Sequence, residues 1–131
     1  MKTLSILITD DIAENRAYIE QMLLSVINNA QTEMAGDGKA AVEAVAAKIK
    51  ATSTSFDLII MDYQMPIMNG AEASAAIRKV EQAAVPPTKS IIITWSTSKS
   101  APYAHADDWL PKMPKKEDVL RVLEENRISI E

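Results

Sequence analysis

Short apolar runs alternate with amphipathic segments along the chain. The runs at 4–9, 30–35, 58–61, 91–95 and 109–111 have the length and β-branched content of strands. Apolar residues at helical spacing predict helices at 13–28, 37–49, 69–80 and 117–126. Five strands alternating with helices favour an α/β fold, in which a doubly wound parallel sheet is covered on both faces.

Three segments fit this pattern less well. The run at 30–35 is diluted by the polar residues Gln31, Thr32 and Glu33, so mainly its position in the series predicts a strand. Residues 51–55 form a polar stretch that predicts a loop. The segment 99–108 lacks a helical stripe and predicts a loop or a single turn. In the third helix, Glu72 and Arg78 are predicted on the polar side.

Length and composition narrow the class of protein. A chain of 131 residues is expected to form one domain, covering 1–131. No apolar run approaches the roughly 20 residues of a membrane span, so we expect a soluble protein without a membrane partner. The absence of cysteine excludes disulfides and thiol catalysis. A net charge of −4 argues against nucleic-acid binding.

Carboxylates stand at the ends of two predicted strands. Asp62 follows the run at 58–61, and Asp10 and Asp11 follow the first run. With the strand order 2-1-3-4-5, strands one and three are neighbours, so these acids are expected to converge. Three close carboxylates repel one another, and a hard divalent cation such as Mg²⁺ would relieve that repulsion.

Two further groups follow strands four and five. Thr94 offers a hydroxyl and Lys112 an ammonium at the same edge of the predicted sheet. A single acidic strand end is more often solvated or a helix cap, but this combination favours a site that binds a phosphoryl group. Asp62 would be the nucleophile and would form an acyl phosphate.

These residues belong to a longer series of motifs. They are Asp10-Asp11, Asn15-Arg16, Asp37-Gly38 before Ala41-Val42, Met61-Asp62-Tyr63-Gln64-Met65-Pro66 before Asn69-Gly70, Thr94 and Lys112. In this order they resemble the receiver domains of response regulators in two-component signalling, and the resemblance spans nearly the whole chain. It implies the flavodoxin-like fold of chemotaxis regulators.

The resemblance also implies roles for individual residues. Asp62 would be the phosphoacceptor, and Thr94 and Lys112 would bind the phosphoryl oxygens. Mg²⁺ would be held by Asp11, by Asp62 and by the backbone carbonyl of Gln64, with Asp10 assisting through water. Trp109 occupies the place of the switch aromatic.

The implied partners are proteins. The phosphoryl donor would be a histidine kinase or a histidine phosphotransfer protein, and a downstream protein partner is expected without being identified. The domain would act in the cytoplasm. It would not be an enzyme in the ordinary sense, although it could promote its own phosphorylation and dephosphorylation. Whether it stands alone or belongs to a hybrid kinase is left open.

The sequence departs from the family pattern at three places. Trp95 follows Thr94 where a small residue is usual, and Met113 separates Lys112 from Pro114. Thr94 and Lys112 are only 18 positions apart (94 to 112), which predicts that the fourth helix of the family is short or replaced by a loop.

Two other functions remain alternatives. An aspartate-nucleophile phosphatase commonly has a second acid two positions after the nucleophile, and Gln64 in that position disfavours this enzyme. The other alternative is a receiver-like interaction module that is not phosphorylated, because Trp95 or the shortened segment blocks transfer.

Overall fold

The sheet and its helices are defined by residues 3–97 and 104–128, which the computed structural model describes. The strands are β1 (Leu4–Thr9), β2 (Ala30–Ala35), β3 (Leu58–Asp62), β4 (Ile91–Ser96) and β5 (Asp108–Pro111). The helices are α1 (Ala13–Val26), α2 (Gly38–Thr52), α3 (Gly70–Ala83) and α4 (Lys116–Glu125).

All five strands are parallel and lie in the order β2-β1-β3-β4-β5. The predicted fold and strand order are therefore confirmed. The weakly predicted β2 pairs with β1 along its whole length, from Ala30 opposite Leu4 to Ala35 opposite Thr9. Only Ala35 of β2 is buried, so backbone pairing at the sheet edge contributes more to this strand than its side chains do.

Apolar cores lie on the two faces of the sheet. Side chains alternate along each strand, so Ile8, Ile60 and Trp95 pack on the face of α1 and α4, while Leu7 and Met61 pack on the face of α2 and α3. Every residue of β3 is buried. The apolar run that ends in Asp62 is therefore the centre of both cores.

Several helix ends differ from their predicted positions. The predicted loop at 51–55 is wrong for Ala51 and Thr52, which continue α2, and α3 extends past Val80 to Ala83. Polar residues alone do not end a helix, so α2 continues to Thr52. Pro86 disfavours helical backbone at the preceding residue, Val85, and this limits how far α3 can extend. Among the described residues, no helix has the length and apolar content needed to cross a membrane.

The segment before β5 is only partly described. Half of the predicted loop or single turn at 99–108 falls on residues 99–103, which lie outside the described residues. Residues 104–107 contain a turn and no helix, and Asp108 already belongs to β5.

Arg78 is buried, so its predicted place on the polar side of α3 is wrong. Its Nη2 atom lies 2.9 Å from the Asp107 carboxylate, and its Nη1 atom lies 2.8 Å from the Glu81 carboxylate. The guanidinium also donates to the backbone carbonyls of Ser90, at 2.8 Å, and His105, at 3.0 Å. Burial of this charge is tolerated because every side of the guanidinium has a partner.

We expect Arg78→Ala to lower the free energy of unfolding by about 3–5 kcal/mol, because it leaves the Glu81 carboxylate buried without a cation. Urea denaturation measures this change. The neighbouring exposed residue supplies the control, and Lys79→Ala should shift stability by no more than about 0.5 kcal/mol. Equal effects of the two substitutions would contradict a structural role for the Arg78 network.

Candidate functional site

The carboxyl ends of β1 and β3 bring Asp10, Asp11 and Asp62 together. One carboxylate oxygen from each residue lies within 4.8 Å of the others. Asp10 and Asp62 are buried, whereas Asp11 is exposed. The three acids meet because β1 and β3 are adjacent and parallel, as the strand order predicts.

Lys112, which follows β5, places a cation among these acids. Its Nζ atom lies 2.5 Å from Asp10 Oδ2 and 3.2 Å from Asp62 Oδ1. The side chain is only 16% exposed, so little water screens these contacts. Lys112 therefore balances part of the repulsion between the two buried carboxylates.

The first turn of α1 fixes the position of Asp10. The backbone N–H of Ile12 donates to Asp10 Oδ1 at 2.9 Å, and the Asn15 amide lies 3.4 Å from Asp10 Oδ2. Arg16 donates to the backbone carbonyl of Asp10 at 2.6 Å. Sequence reasoning used Asn15 and Arg16 only as family markers and missed this positioning. Their spacing from Asp10, at the start of a helix, was the available signal.

The loop after Lys112 is attached to α1. The Tyr18 hydroxyl donates to the backbone carbonyl of Pro114 at 2.8 Å. The additional residue Met113 is accommodated by left-handed backbone, with φ of 54°, and its side chain is exposed. Helix α1 therefore contacts both the strand end that carries Asp10 and the loop that carries Lys112.

Burial dominates the electrostatics of Asp62. It raises the pKa of this carboxyl from the ordinary 3.8 to about 6, although Lys112 acts in the opposite direction. The Asp10 carboxylate adds to the increase, because a second negative charge disfavours ionisation.

The loop between β3 and α3 is closed by backbone and capping bonds. The N–H of Gly70 donates to the carbonyl of Tyr63 at 2.8 Å. Asn69 and Glu72 form a capping box, with bonds of 2.8 and 3.0 Å, at the start of α3. Gln64 lies in this loop two positions after Asp62 and is exposed, and its role as a metal ligand stays a prediction.

Thr94 is not brought to the three carboxylates. It pairs with Met61, while Asp62 pairs with Trp95. Since alternate residues face opposite sides of a sheet, Thr94 lies on the α2 and α3 face. Its hydroxyl donates to the backbone carbonyl of Asp108 at 3.4 Å. The predicted contact of Thr94 with a phosphoryl group stays a prediction, and the register does not favour it.

The two tryptophans near the site differ in environment. Trp95 is fully buried, and its ring centroid lies 4.2 Å from Lys112 Nζ. Trp109 is half-buried, and its Nε1 atom donates to Ser96 Oγ at 3.3 Å. Trp95 therefore contacts the acidic site through Lys112, whereas Trp109 contacts the end of β4.

The donor set fits Mg²⁺. Carboxylate oxygens are hard ligands, and Mg²⁺ is commonly held by one or two of them together with water and phosphate oxygens. The exposed Asp11 leaves the cluster open to solvent on one side.

Residues 6–124 match the family model of the response regulator receiver domain. The chain belongs to this family. Among curated proteins, this receiver domain is 36% identical over 76 residues to hybrid signal transduction histidine kinase I of Dictyostelium discoideum, covering 58% of this chain. It is 33% identical over 124 residues to hybrid signal transduction histidine kinase G of the same organism, covering 92% of this chain.

Solved receiver domains share the fold. The receiver domain of the Arabidopsis thaliana histidine kinase CKI1, complexed with Mg²⁺, is 26% identical with a TM-score of 0.75, and the match covers 94% of this chain and 91% of that one. A sensor histidine kinase receiver domain from Pseudomonas aeruginosa, with magnesium coordinated in its active site cleft, is 25% identical with a TM-score of 0.75. That match covers 95% of this chain and 97% of the other.

This receiver domain corresponds to a small part of these two kinases. The match spans 4% of the length of kinase I and 3% of kinase G.

In metal-free buffer, we expect Asp62→Asn to make the protein more stable than the wild type at pH 8. The pKa of Asp62 in the folded protein, about 6, lies above the ordinary 3.8, so the folded state binds the proton more tightly than the unfolded state does. The wild type therefore loses stability as the pH rises between these values, and an amide avoids that loss. Urea denaturation from pH 4 to 8 with a chelator measures the difference, which should shrink toward the acid end.

Glu124→Gln is the matched control, since it exchanges a carboxylate for an amide on an exposed position of α4. It should leave the pH dependence of stability unchanged. A variant Asp62→Asn that is less stable than the wild type at pH 8 would contradict the unfavourable burial of this carboxylate.

Proposed function

We propose that this receiver domain accepts a phosphoryl group on Asp62, in a Mg²⁺-dependent transfer from a phosphohistidine, and thereby changes its binding to a partner protein. The observation that carries the proposal is the cluster of Asp10, Asp11 and Asp62, with the Lys112 ammonium 3.2 Å from Asp62 Oδ1. A buried carboxylate next to a cation, at the open edge of a parallel sheet, is suited to in-line attack on phosphorus.

The transfer forms one bond and breaks one. An Asp62 oxygen attacks phosphorus as the phosphorus–nitrogen bond of phosphohistidine breaks, and the electron pair stays on the imidazole nitrogen. The ring departs neutral when its other nitrogen carries a proton. Asp62 must be ionised to attack, and its pKa of about 6 leaves the carboxylate as the main form at pH 7.

Lys112 would stabilise the charge of the transferred group. Its ammonium already contacts Asp62 Oδ1, so it is adjacent to the oxygen atoms of a phosphoryl group attached there. A bound Mg²⁺ would neutralise negative charge on the phosphoryl oxygens in the same way.

The carboxylates differ in their freedom to bind this metal. Both oxygens of Asp10 already have partners, since Oδ1 accepts from Ile12 and Oδ2 meets Lys112. This supports a role for Asp10 through water. The exposed Asp11 is more accessible to the metal, and Asp62 and the carbonyl of Gln64 complete the proposed direct ligands. The Mg²⁺ bound by two similar receiver domains supports the choice of this metal.

The phosphoryl donor would be a histidine kinase or a histidine phosphotransfer protein. Support comes from the hybrid kinases among the relatives. An enzyme that hydrolyses a separate phosphate ester is disfavoured, because Gln64 supplies an amide where a second acid would act.

Incubation with acetyl phosphate and Mg²⁺ should add one phosphoryl group to the wild-type chain, as measured by intact-mass spectrometry. Asp62→Asn should remove the adduct, because an amide oxygen is too weak a nucleophile to displace the leaving group. Lys112→Ala should slow the reaction by about tenfold or more, because charge on the phosphoryl oxygens loses its cation.

Two controls accompany this measurement. Glu124→Gln should be phosphorylated like the wild type, and a chelator should prevent the reaction in both. A folded wild-type chain that gains no adduct with Mg²⁺ and donor would overturn the proposal and favour an interaction module that is not phosphorylated.

A further inference from the structure

An aromatic ring occupies the position on β4 that pairs with the proposed phosphoacceptor. Asp62 and Trp95 are register partners in adjacent parallel strands, so both side chains lie toward the α1 and α4 face. The Trp95 side chain is 0% exposed. The hydroxyl of Thr94, one position earlier, faces the opposite side of the sheet and bonds to β5.

Lys112 lies between this ring and the acids. Its Nζ atom is 4.2 Å from the Trp95 ring centroid, 2.5 Å from Asp10 Oδ2 and 3.2 Å from Asp62 Oδ1. An ammonium over the face of an indole is attracted by the ring's negative face, most strongly where water is excluded. The long flexible stem of a lysine gives it many conformations, and contacts with the ring and both carboxylates restrict them.

Within the described ranges 3–97 and 104–128, no hydrogen bond orients the Trp95 ring. Trp95 Nε1 is buried and has no hydrogen-bond partner among the residues that the structure describes. Buried indoles usually satisfy this N–H. Packing against the core and the contact with Lys112 are therefore the interactions that the structure shows for this ring.

We propose that Trp95 is a positioning residue that holds the Lys112 ammonium against Asp62 during phosphoryl transfer. This rests on the proposed function of Asp62. The indole forms one wall of the Lys112 site and the carboxylates form the other, so the ammonium stays next to the oxygen that attacks phosphorus. The ring thereby acts on the site through Lys112.

The first test uses the metal-free, unphosphorylated protein. In proton–carbon NMR spectra, the ε-methylene protons of Lys112 should be displaced upfield from those of the other lysines by the ring current of Trp95. Trp95→Phe should retain part of this displacement and Trp95→Leu should lose it. The wild-type spectrum is informative even where Trp95→Leu does not fold, and a Lys112 signal at the position of an ordinary lysine would overturn the proposal.

The second test is a double-mutant cycle on phosphorylation by acetyl phosphate with Mg²⁺. Trp95→Leu should slow phosphorylation about tenfold in the wild-type background and should have little effect on Lys112→Ala, because the cation that it positions is already missing. Trp95→Phe should restore most of the rate. Thr94→Val tests the alternative in which the neighbouring hydroxyl on the same strand contacts the phosphoryl group. Glu124→Gln, on an exposed position of α4, is the control and should stay within about twofold of the wild type.

The outcomes separate this proposal from the function on which it rests. Equal slowing by Trp95→Leu in both backgrounds would show a general structural role and overturn the positioning role. A large loss in Thr94→Val with no loss in Trp95→Leu would assign the contact to the hydroxyl. A folded wild-type chain that shows the upfield Lys112 signal but no phosphoryl adduct would overturn the function of Asp62 while the contact between Trp95 and Lys112 stands.

Discussion

Repulsion among three carboxylates is the constraint on which this structure depends. Asp10 and Asp62 are both buried, and negative charges at this separation destabilise each other strongly where water is scarce. The fold accommodates them by placing Lys112 between the two and by leaving Asp11 at the solvent side. The three carboxylates lie close together because β1 and β3 are neighbouring parallel strands, whose carboxyl ends lie at the same edge of the sheet.

The apolar cores of the domain offset the unfavourable free energy of burying the Asp62 carboxylate. The raised pKa of Asp62 means that its ionised form is unfavourable in the folded chain, a property that is common among carboxylates at functional sites. The strand that carries Asp62 is buried throughout and lies between two apolar cores. A rigid scaffold of this kind can hold charged groups in an arrangement that they would not adopt unaided.

The sequence predicted correctly the features that depend on the alternation of apolar runs or on the residue directly after a strand. Alternating apolar runs predicted the sheet, and acids directly after two of those runs predicted the cluster. The prediction for Arg78 was wrong because it depends on a contact between residues far apart in the chain. Arg78 is buried against Asp107, which follows β4 in the sequence. The sequence also could not tell which of Thr94 and Trp95 shares a face of the sheet with Asp62. One residue along a strand reverses the face, and the apolar run of β4 shows no alternation.

The contact between Lys112 and Asp10 joins residues 102 positions apart. Until the end of the chain has docked, Asp10, Asp11 and Asp62 have no ammonium among them, and Asp62 in an extended chain is an ordinary solvated acid. The Tyr18 bond to Pro114 likewise requires α1 and the segment after β5 to be in place together. The arrangement of charges around Asp62 is therefore a property of the completed fold. An incompletely folded or truncated chain would carry the proposed acceptor residue without the ammonium beside it.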